Sequence, residues 1–435
     1  MARRLKKPYR NILKTAAVIA LIVILKWLWV TISTMGHGTF EGEKTEILRR
    51  RNYLADKLLV SPEEVINEMP EAIGSQFQGE WAMYSCSMMS AALANISMLY
   101  PDEKEKSVGQ IDSLIKIVMS PELRQFDAER WDEDPLESLD SDQSHMSYLS
   151  ILAWMISSYK TAGGNDKYDV LYHQLCATLH RRMKESPALN LPTYPGEPIY
   201  VPDMLVTLVA LSNFTWQCDD RYLSTINEWL KKAKTEWTDK KTGILKSFLN
   251  DDGTPLSDPI KGSYAALNCY YLTFVDKDFA KEQYELLKKH FMQRGLLPGI
   301  REYHDRSCWF GMDIDAGPII FNLSPSGTAF AIGAATYFGD TDFRSSLLTT
   351  AEIVGSTIRG CNTNHYLLAN LALVGEAITL AMRTPPPGTD PTNPHPKQRY
   401  YTALSLSCHD SIYISTMWAS SSWLFNLVNK FLHSP

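Results

Sequence analysis

The feature that most constrains this chain is a repeated pairing of two unlike helices around an aspartate. Five segments, "AMYSCSMMSAALANISML", "SYLSILAWMISSY", "MLVTLVALSNF", "YAALNCYYLTF" and "SGTAFAIGAATYF", are apolar or small on nearly every face. A helix that is apolar all round is a buried helix. Soon after each comes an aspartate: Asp102, Asp166, Asp219, Asp276 and Asp340. Its carboxylate can accept from the orphan N–H groups of a first helical turn. The helix that each aspartate opens is amphipathic. Tyr222, Ile226, Trp229, Leu230, Ala233 and Trp237 make one apolar stripe, with Glu228, Lys231 and Lys232 on the other side.

The unit is therefore a buried helix, a tight turn and a half-exposed helix. It recurs about every 53–64 residues, too long a period for tetratricopeptide or ankyrin arrays. A sixth buried stretch, "NHYLLANLALVGEAITLAM", runs into the proline-rich "TPPPGTDPTNPHP". Its outer partner is sought near residues 43–58 or near 411–431. Six inner and six outer helices predict an all-α fold, an (α/α)6 toroid over residues 61–435. An open solenoid is the alternative, and its end repeats would need polar caps.

The N-terminus sets a second expectation. Residues 1–14, "MARRLKKPYRNILK", are basic, and 15–34, "TAAVIALIVILKWLWVTIST", are long enough to span a bilayer despite Lys26. No A-x-A-like cleavage site comes after them, which favours a transmembrane signal-anchor over a cleaved signal peptide. Residues 35–60 then read as a juxtamembrane linker and helix. The positive-inside rule places the remainder outside the cytoplasm, in a periplasm or outside the cell.

Composition closes off other classes. The chain has 435 residues, a net charge of −6 and no basic stripe beyond its first residues, so nucleic acid is a poor partner. Seven cysteines (86, 176, 218, 269, 308, 361 and 408) show no C-x-x-C spacing. Most read as small apolar core residues, and an odd count excludes complete intramolecular pairing. The N-x-S/T sequons at Asn95, Asn213 and Asn322 fall in or beside helical segments. There is no G-x-S-x-G, H-E-x-x-H or P-loop. No metal or cofactor is expected.

Loop lengths locate the function. Connections from inner to outer helices are short, whereas those from outer to inner run to about 20–30 residues, beyond the usual handful. In a toroid the long ones all emerge at one end. Long acidic and aromatic loops on a rigid scaffold read as a binding face. In the longest of them, "CWFGMDIDAGPI" holds Asp313 and Asp315 two residues apart. On an extended segment both point the same way, and close carboxylates push their pKa values apart, one serving as acid and one as base. The competing reading has Asp315 capping a helix opened by Gly317-Pro318 and Asp313 holding backbone amides.

The same loop supplies Glu302, Tyr303 and His304, ordinary acid–base groups. "NDDG" places Asp251 and Asp252 at the matching point of the preceding repeat, where a plain turn is the other reading. Asp142 and His145 open the second inner helix and Asp203 the third. Glu80, Trp81 and Tyr84 precede or begin the first, and Asn364-His365 begin the sixth. For these the ordinary reading is helix capping. Trp81, Trp131, Tyr194, Tyr200, Tyr264 and Trp309 could line an apolar or sugar-stacking cavity, or simply fill the core.

The hairpin pattern and the run "GLLP…DIDAGP…SPSGTAFAIGAA" resemble those of linalool dehydratase/isomerase-domain proteins, over roughly residues 60–385. The resemblance implies an (α/α)6 barrel, cofactor-free acid–base chemistry and a cyclic homo-oligomer. No catalytic residue is carried over from that family. Three functions are expected. The first is a lyase or hydratase-isomerase acting on a small alcohol or terpenoid-like substrate, catalysed by Asp313, Asp315, His304 and Glu302. The second is a glycoside hydrolase or polysaccharide lyase, with two carboxylates flanking the scissile bond. The third is a toroid that only binds a glycan or an envelope partner. Asp251, Asp252, His145, Tyr303, Trp309, Trp81 and Tyr84 are the expected substrate contacts.

Overall fold

A computed structural model describes residues 7–34, 40–295, 297–305 and 308–386. The chain divides into two units, Met1–Gly388 and Thr389–Pro435. The second lies outside the described residues, and with it Cys408 and the helix expected at 411–431.

The first unit is mostly helical. Its helices are α1 (Lys7–Thr34), α2 (Phe40–Leu58), α3 (Pro62–Asn67), α4 (Ser75–Leu99), α5 (Lys104–Val118), α6 (Pro121–Trp131), α7 (Met146–Thr161) and α8 (Asp169–Glu185). They continue as α9 (Val201–Gln217), α10 (Leu223–Thr235), α11 (Gly262–Leu272), α12 (Lys277–Phe291), α13 (Pro325–Tyr337), α14 (Thr341–Gly355) and α15 (Leu373–Arg383). The all-round apolar segments are buried as read: every residue of α11, and Met146–Tyr159 of α7, is out of solvent. Each such helix packs on the next, in the order α4, α7, α9, α11, α13, α15, and α15 packs back on α4. The amphipathic helices lie on their partners: α5 on α4, α8 on α7, α10 on α9, α12 on α11 and α14 on α13. The last buried helix, α15, is covered by α2 from the N-terminal side. Small residues let these helices close up. A Cβ on Gly333 of α13 would collide with Tyr270 of α11 and Met382 of α15.

Two of the five repeat aspartates cap as expected: Asp276 accepts from Phe279 N and Asp340 from Phe343 N. The others are spent differently. Asn165 takes the cap beside Asp166, Asp102 pairs with Lys44, and Asp219 binds Arg221. One expected loop, residues 120–145, begins with a helix: Ser120 caps α6 and Pro121 opens it.

Short antiparallel strands brace the long loops. They are β1 (Ile199–Tyr200) with β2 (Phe248–Leu249), β3 (Met292–Gln293) with β4 (Gly299–Ile300), β5 (Phe310–Asp313) with β6 (Gly317–Ile320), and β7 (Thr357–Arg359) with β8 (Asn364–Tyr366). The β5–β6 hairpin corrects the reading of "DIDAGP" as a helix entrance. Gly317 sits at φ +77°, and the helix begins eight residues later, where Ser324 caps α13 and Pro325 opens it. Asn364-His365 likewise form a strand, and the sixth buried helix begins at Leu373.

The N-terminal expectation is also corrected. Among the described residues, no helix is long and apolar enough to cross a membrane. α1 packs along α14, and Lys26, in the middle of the segment read as membrane-spanning, donates to the Ile353 carbonyl at 2.8 Å and to Ser356 Oγ. The expected signal-anchor, the membrane as a partner, and the extracytoplasmic placement drawn from it lose their support. Every cysteine among the described residues is a free thiol.

What fastens α2 is charge. Arg50, fully buried, donates to Glu46 at 2.8 Å, to Glu376 of α15 at 2.6 Å and to Thr357 at 2.6 Å, and lies over the Tyr366 ring. Glu43 accepts from Arg344 of α14 and from Arg383 of α15. Removing one partner of such a pair strands a buried charge at a cost of about 3–5 kcal/mol, whereas replacing both by apolar groups is often neutral. Arg50→Ala should therefore lower unfolding free energy by about that much. The double variant Arg50→Met with Glu376→Leu should lose clearly less in urea denaturation.

Candidate functional site

Three of the buried helices carry acids or phenols in their opening turns, where the long loops meet them. Glu80 and Tyr84 lie one turn apart on α4, Asp203 is in the first turn of α9, and Tyr264 is in the first turn of α11. In otherwise apolar helices these polar groups need partners, and the loops supply them. Arg130, next to the end of α6, donates to Glu80 Oε2 at 3.2 Å while its guanidinium lies 3.5 Å from the centre of the Tyr194 ring. Thr193 donates to Asp203 Oδ2 at 2.8 Å. Tyr264 donates to Asp315 Oδ2 at 2.8 Å.

Lys261, the residue just before α11, ties the β5–β6 turn to this end. Its ammonium lies 2.8 Å from Asp313 Oδ2 and 3.0 Å from Asp315 Oδ2. Asp313 also accepts from the N–H groups of Asp315 and Ala316, which shapes the turn. Burial opposes the charge on Asp313, but Lys261 and those amides outweigh it and hold the pKa below the usual carboxylate range. Asp313 is thus a structural anion, and Asp315 is the carboxylate presented beside Tyr264.

Below these groups, Tyr84 and Tyr271 meet hydroxyl to hydroxyl at 3.0 Å. They join α4 to α11, which are not neighbours in the packing order. Tyr264, Asn268 and Tyr271 fall on one stripe of α11, at i, i+4 and i+7. Asn268 is buried, and neither its oxygen nor its nitrogen has a hydrogen-bond partner among the described residues. An unpartnered amide is thereby placed between Tyr264 and Tyr271 along α11.

The acids act on one another. Burial chiefly, then the neighbouring charges of Glu80 and Asp315, push the Asp203 pKa up to about 7 against the bond from Thr193. Burial raises Glu80 too, with Arg130 opposing and Asp315 adding. Tyr84, Tyr264 and Tyr271 are all driven upward, mainly by burial and then by nearby acids or phenols, so they stay protonated donors. Among the described residues, no three His, Cys, Asp or Glu side chains converge closely enough to hold a metal ion.

The other residues singled out from sequence fall elsewhere. Glu302 is fully buried and accepts from Ser263 N at 3.2 Å and Ser263 Oγ at 2.9 Å, fastening its loop to the start of α11. Gly262 permits that approach, since a Cβ there would strike the Arg301 carbonyl. Tyr303 is half-buried in the same segment, its N–H on Asn322. His304 is exposed and meets Phe291 edge-on, apart from the acids, because its side of the loop turns outward. His145 is buried with its ring nitrogens 2.5 Å from Asp127 and 3.1 Å from Glu133, locking α7 to α6. Asp252 closes a turn on Thr254, and Asp251 lies on the rim of a different cleft. Trp309 is 54% exposed against Phe321, and Trp81 is half-buried beside Glu80. Asp142 is exposed near Arg181. Sequence reasoning misses Lys261 and Arg130 altogether. It reaches Asp203, Glu80, Tyr264 and Tyr194 only as caps or lining.

Compared with known protein families and with curated proteins, the chain finds no matching family model and no matching relative.

Glu302 provides a test of the loop anchor. Burial pushes its pKa up to about 7 against the bonds from Ser263 and Ser324. The folded state then holds this proton more tightly than the unfolded chain, whose Glu titrates near about 4.3. Stability is full below that value and falls as pH rises through about 7, by up to on the order of 3 kcal/mol. Glu302→Gln should remove this part of the decline, so that it melts above wild type at alkaline pH and at or below it in acid. Thermal melts across that range check the crossing.

Proposed function

We propose that the buried helices form an (α/α)6 toroid whose long-loop end cleaves glycosidic bonds by general acid–base catalysis. The observation that carries this reading is the cluster of acids and tyrosines on the opening turns of α4, α9 and α11, where Tyr264 donates to Asp315 and burial pushes the Asp203 pKa up to about 7. Environments that separate the pKa values of neighbouring carboxyls assign acid and base. Glycoside hydrolysis needs that pair across the scissile bond.

In this scheme Asp203 gives its proton to the departing glycosidic oxygen. Asp315 takes a proton from the water that attacks the anomeric carbon, so one proton leaves the site and one enters it. Tyr264 and Lys261 hold Asp315 in place, and Lys261 shares its charge with Asp313. Glu80, anchored by Arg130, is one of the neighbouring acids that help to raise the Asp203 pKa. Tyr84, the partly exposed member of the Tyr84–Tyr271 pair, offers a hydrogen bond to a sugar hydroxyl.

A second reading, elimination rather than hydrolysis, rests on Tyr264, a phenol bonded to Asp315 with the Lys261 ammonium 5.0 Å from its ring. It keeps the lyase chemistry implied by the resemblance to linalool dehydratase/isomerase-domain proteins. Products separate the two: hydrolysis leaves a new reducing end carrying solvent oxygen, and elimination leaves an unsaturated sugar.

A screen of oligosaccharides with product analysis is the direct experiment. On any substrate turned over, the rate should fall as pH rises through about 7, since the acid must be protonated. Asp203→Asn should lower kcat by about 10²–10⁴-fold and abolish that limb. An Asp203→Asn enzyme with the wild-type rate and pH profile would contradict the assignment.

A further inference from the structure

We propose that the outward face of the β5–β6 hairpin is an interface on which two copies of this chain pack together about a twofold axis. The register pairs Phe310 with Ile320 and Met312 with Pro318. Successive side chains of a strand point to opposite faces, so these four share one side of the hairpin. Gly311, Asp313, Gly317 and Ile319 share the other. That second side is the one turned to the protein: Ile319 is 3% exposed, and Asp313 meets Lys261. An antiparallel pair with one side on the core ordinarily shows polar residues to water on its other side. Here the pattern is reversed. Phe310 is 66% exposed, Met312 78% and Ile320 47%, with Pro318 exposed beside them.

The patch extends past the strands. The Phe321 ring lies 5.2 Å from that of Phe310 and 6.4 Å from that of Trp309, and both Trp309 and Phe321 are half exposed. Scattered apolar residues are normal on a surface, whereas a contiguous patch marks an interaction site. The hairpin also has no third strand among the described residues. A two-stranded sheet is marginally stable in water unless something packs on it.

Size and charge select the occupant. Three rings of about 150–250 Å² each, half or more exposed, together with the aliphatic side chains leave on the order of 500 Å² of apolar surface. Interfaces are about 56–65% apolar, so this patch implies roughly 800 Å² per partner, the standard for a stable complex. None of its side chains is charged, since the two acids of the hairpin are taken by Lys261. The chain carries a net charge of −6, so two copies repel over much of their surface. On an uncharged face they meet without opposing like charges. A strongly basic or acidic partner would find nothing there to pair with. Two such faces stack as sheets about 10 Å apart. Because the patch is the same on both copies, the contact is isologous and closes as a dimer.

Sedimentation velocity on the full-length protein, from about 1 µM to about 100 µM, tests the proposal. Wild type should be mainly dimeric at the top of that range. Met312→Lys and Phe310→Lys each set a positive charge on both copies within the contact, and each should weaken dimerisation about a hundredfold or more. Both side chains are exposed in the single chain, so these variants should keep the far-UV circular dichroism of wild type; should Phe310→Lys lose it, Met312→Lys decides. α1 exposes apolar side chains as well, among them Leu21 and Leu25. The double variant Leu21→Lys with Leu25→Lys should therefore dimerise as wild type does. A wild type that stays monomeric across the range would overturn the proposal. So would a dimer of unchanged affinity in Met312→Lys, or one lost through the α1 variant instead. Should monomeric wild type bind uncharged phosphatidylcholine vesicles and Met312→Lys not, the face belongs to another occupant and the proposal is wrong.

Discussion

The structure depends on a set of buried charges that fasten the beginning of the chain to its end. α2 precedes the buried helices and α15 is the last of them, more than 300 residues away, yet Arg50 and Glu376 meet at 2.6 Å with almost no solvent exposure. Taking such groups out of water is expensive, and the cost is recovered only with good geometry and all remaining hydrogen bonds made. Here the bonds are made. Arg50 is held from three sides, Glu376 also accepts from Tyr366 N, and Glu43 is shared by two arginines from two helices. A wrongly docked α2 would leave four or more charges unpaired in the interior. Specificity of docking results, and with it the contact of α15 with α4 that completes the sequence of buried helices.

Once those helices are held, their opening turns have no freedom to separate the polar groups they carry. Carboxyls that would behave alike in water are then driven apart by what surrounds each. Asp313 meets an ammonium and two amides and is kept ionised. Asp203 meets a hydroxyl, burial and three other acids, Glu80, Asp315 and Glu197, and its pKa is pushed up to about 7. Glu302 has a similar shift for a different purpose, because burial beneath the loop raises it while it fastens that loop to α11. A raised pKa alone therefore does not set a carboxyl apart for chemistry. The proposed role of Asp203 rests on its neighbours Glu80 and Asp315 as well.

Much of the architecture is legible in the sequence because burial leaves a periodic trace. All-round apolar segments are buried helices, and striped ones are their covers. α6 escapes because "PELRQFDAERW" has no clear apolar stripe to separate it from an acidic loop. The β5–β6 hairpin escapes because Gly-Pro suits a helix entrance as well as a turn, and only the Ser324-Pro325 pair further on decides between them. In the site, "DIDAGP" does hold its acids against other polar groups, but the partner is not one that sequence suggests. Lys261 lies 52–54 residues away and meets the aspartates only through the fold. His304 and His145 stand out by their places in loops, and loop position does not say which side faces inward. A stronger signal is present: an acid or phenol in the first turns of helices that tolerate no other charge, as at Glu80, Asp203 and Tyr264. The apolar N-terminal segment misleads for the opposite reason, since hydropathy cannot see that Lys26 has a carbonyl waiting on α14.

The proposed chemistry rests on Asp203, whose pKa is pushed up to about 7 chiefly by burial. Carboxyl ¹³C chemical shifts of aspartate-labelled protein, followed from pH 4 to pH 9 in wild type and in Asp203→Asn, measure this without any substrate. One aspartate resonance should titrate near about pH 7 and vanish in the variant, while the Asp313 resonance titrates below the usual aspartate range. If every aspartate resonance instead completes its titration below about pH 5, Asp203 is an ordinary carboxylate and the acid–base assignment is wrong.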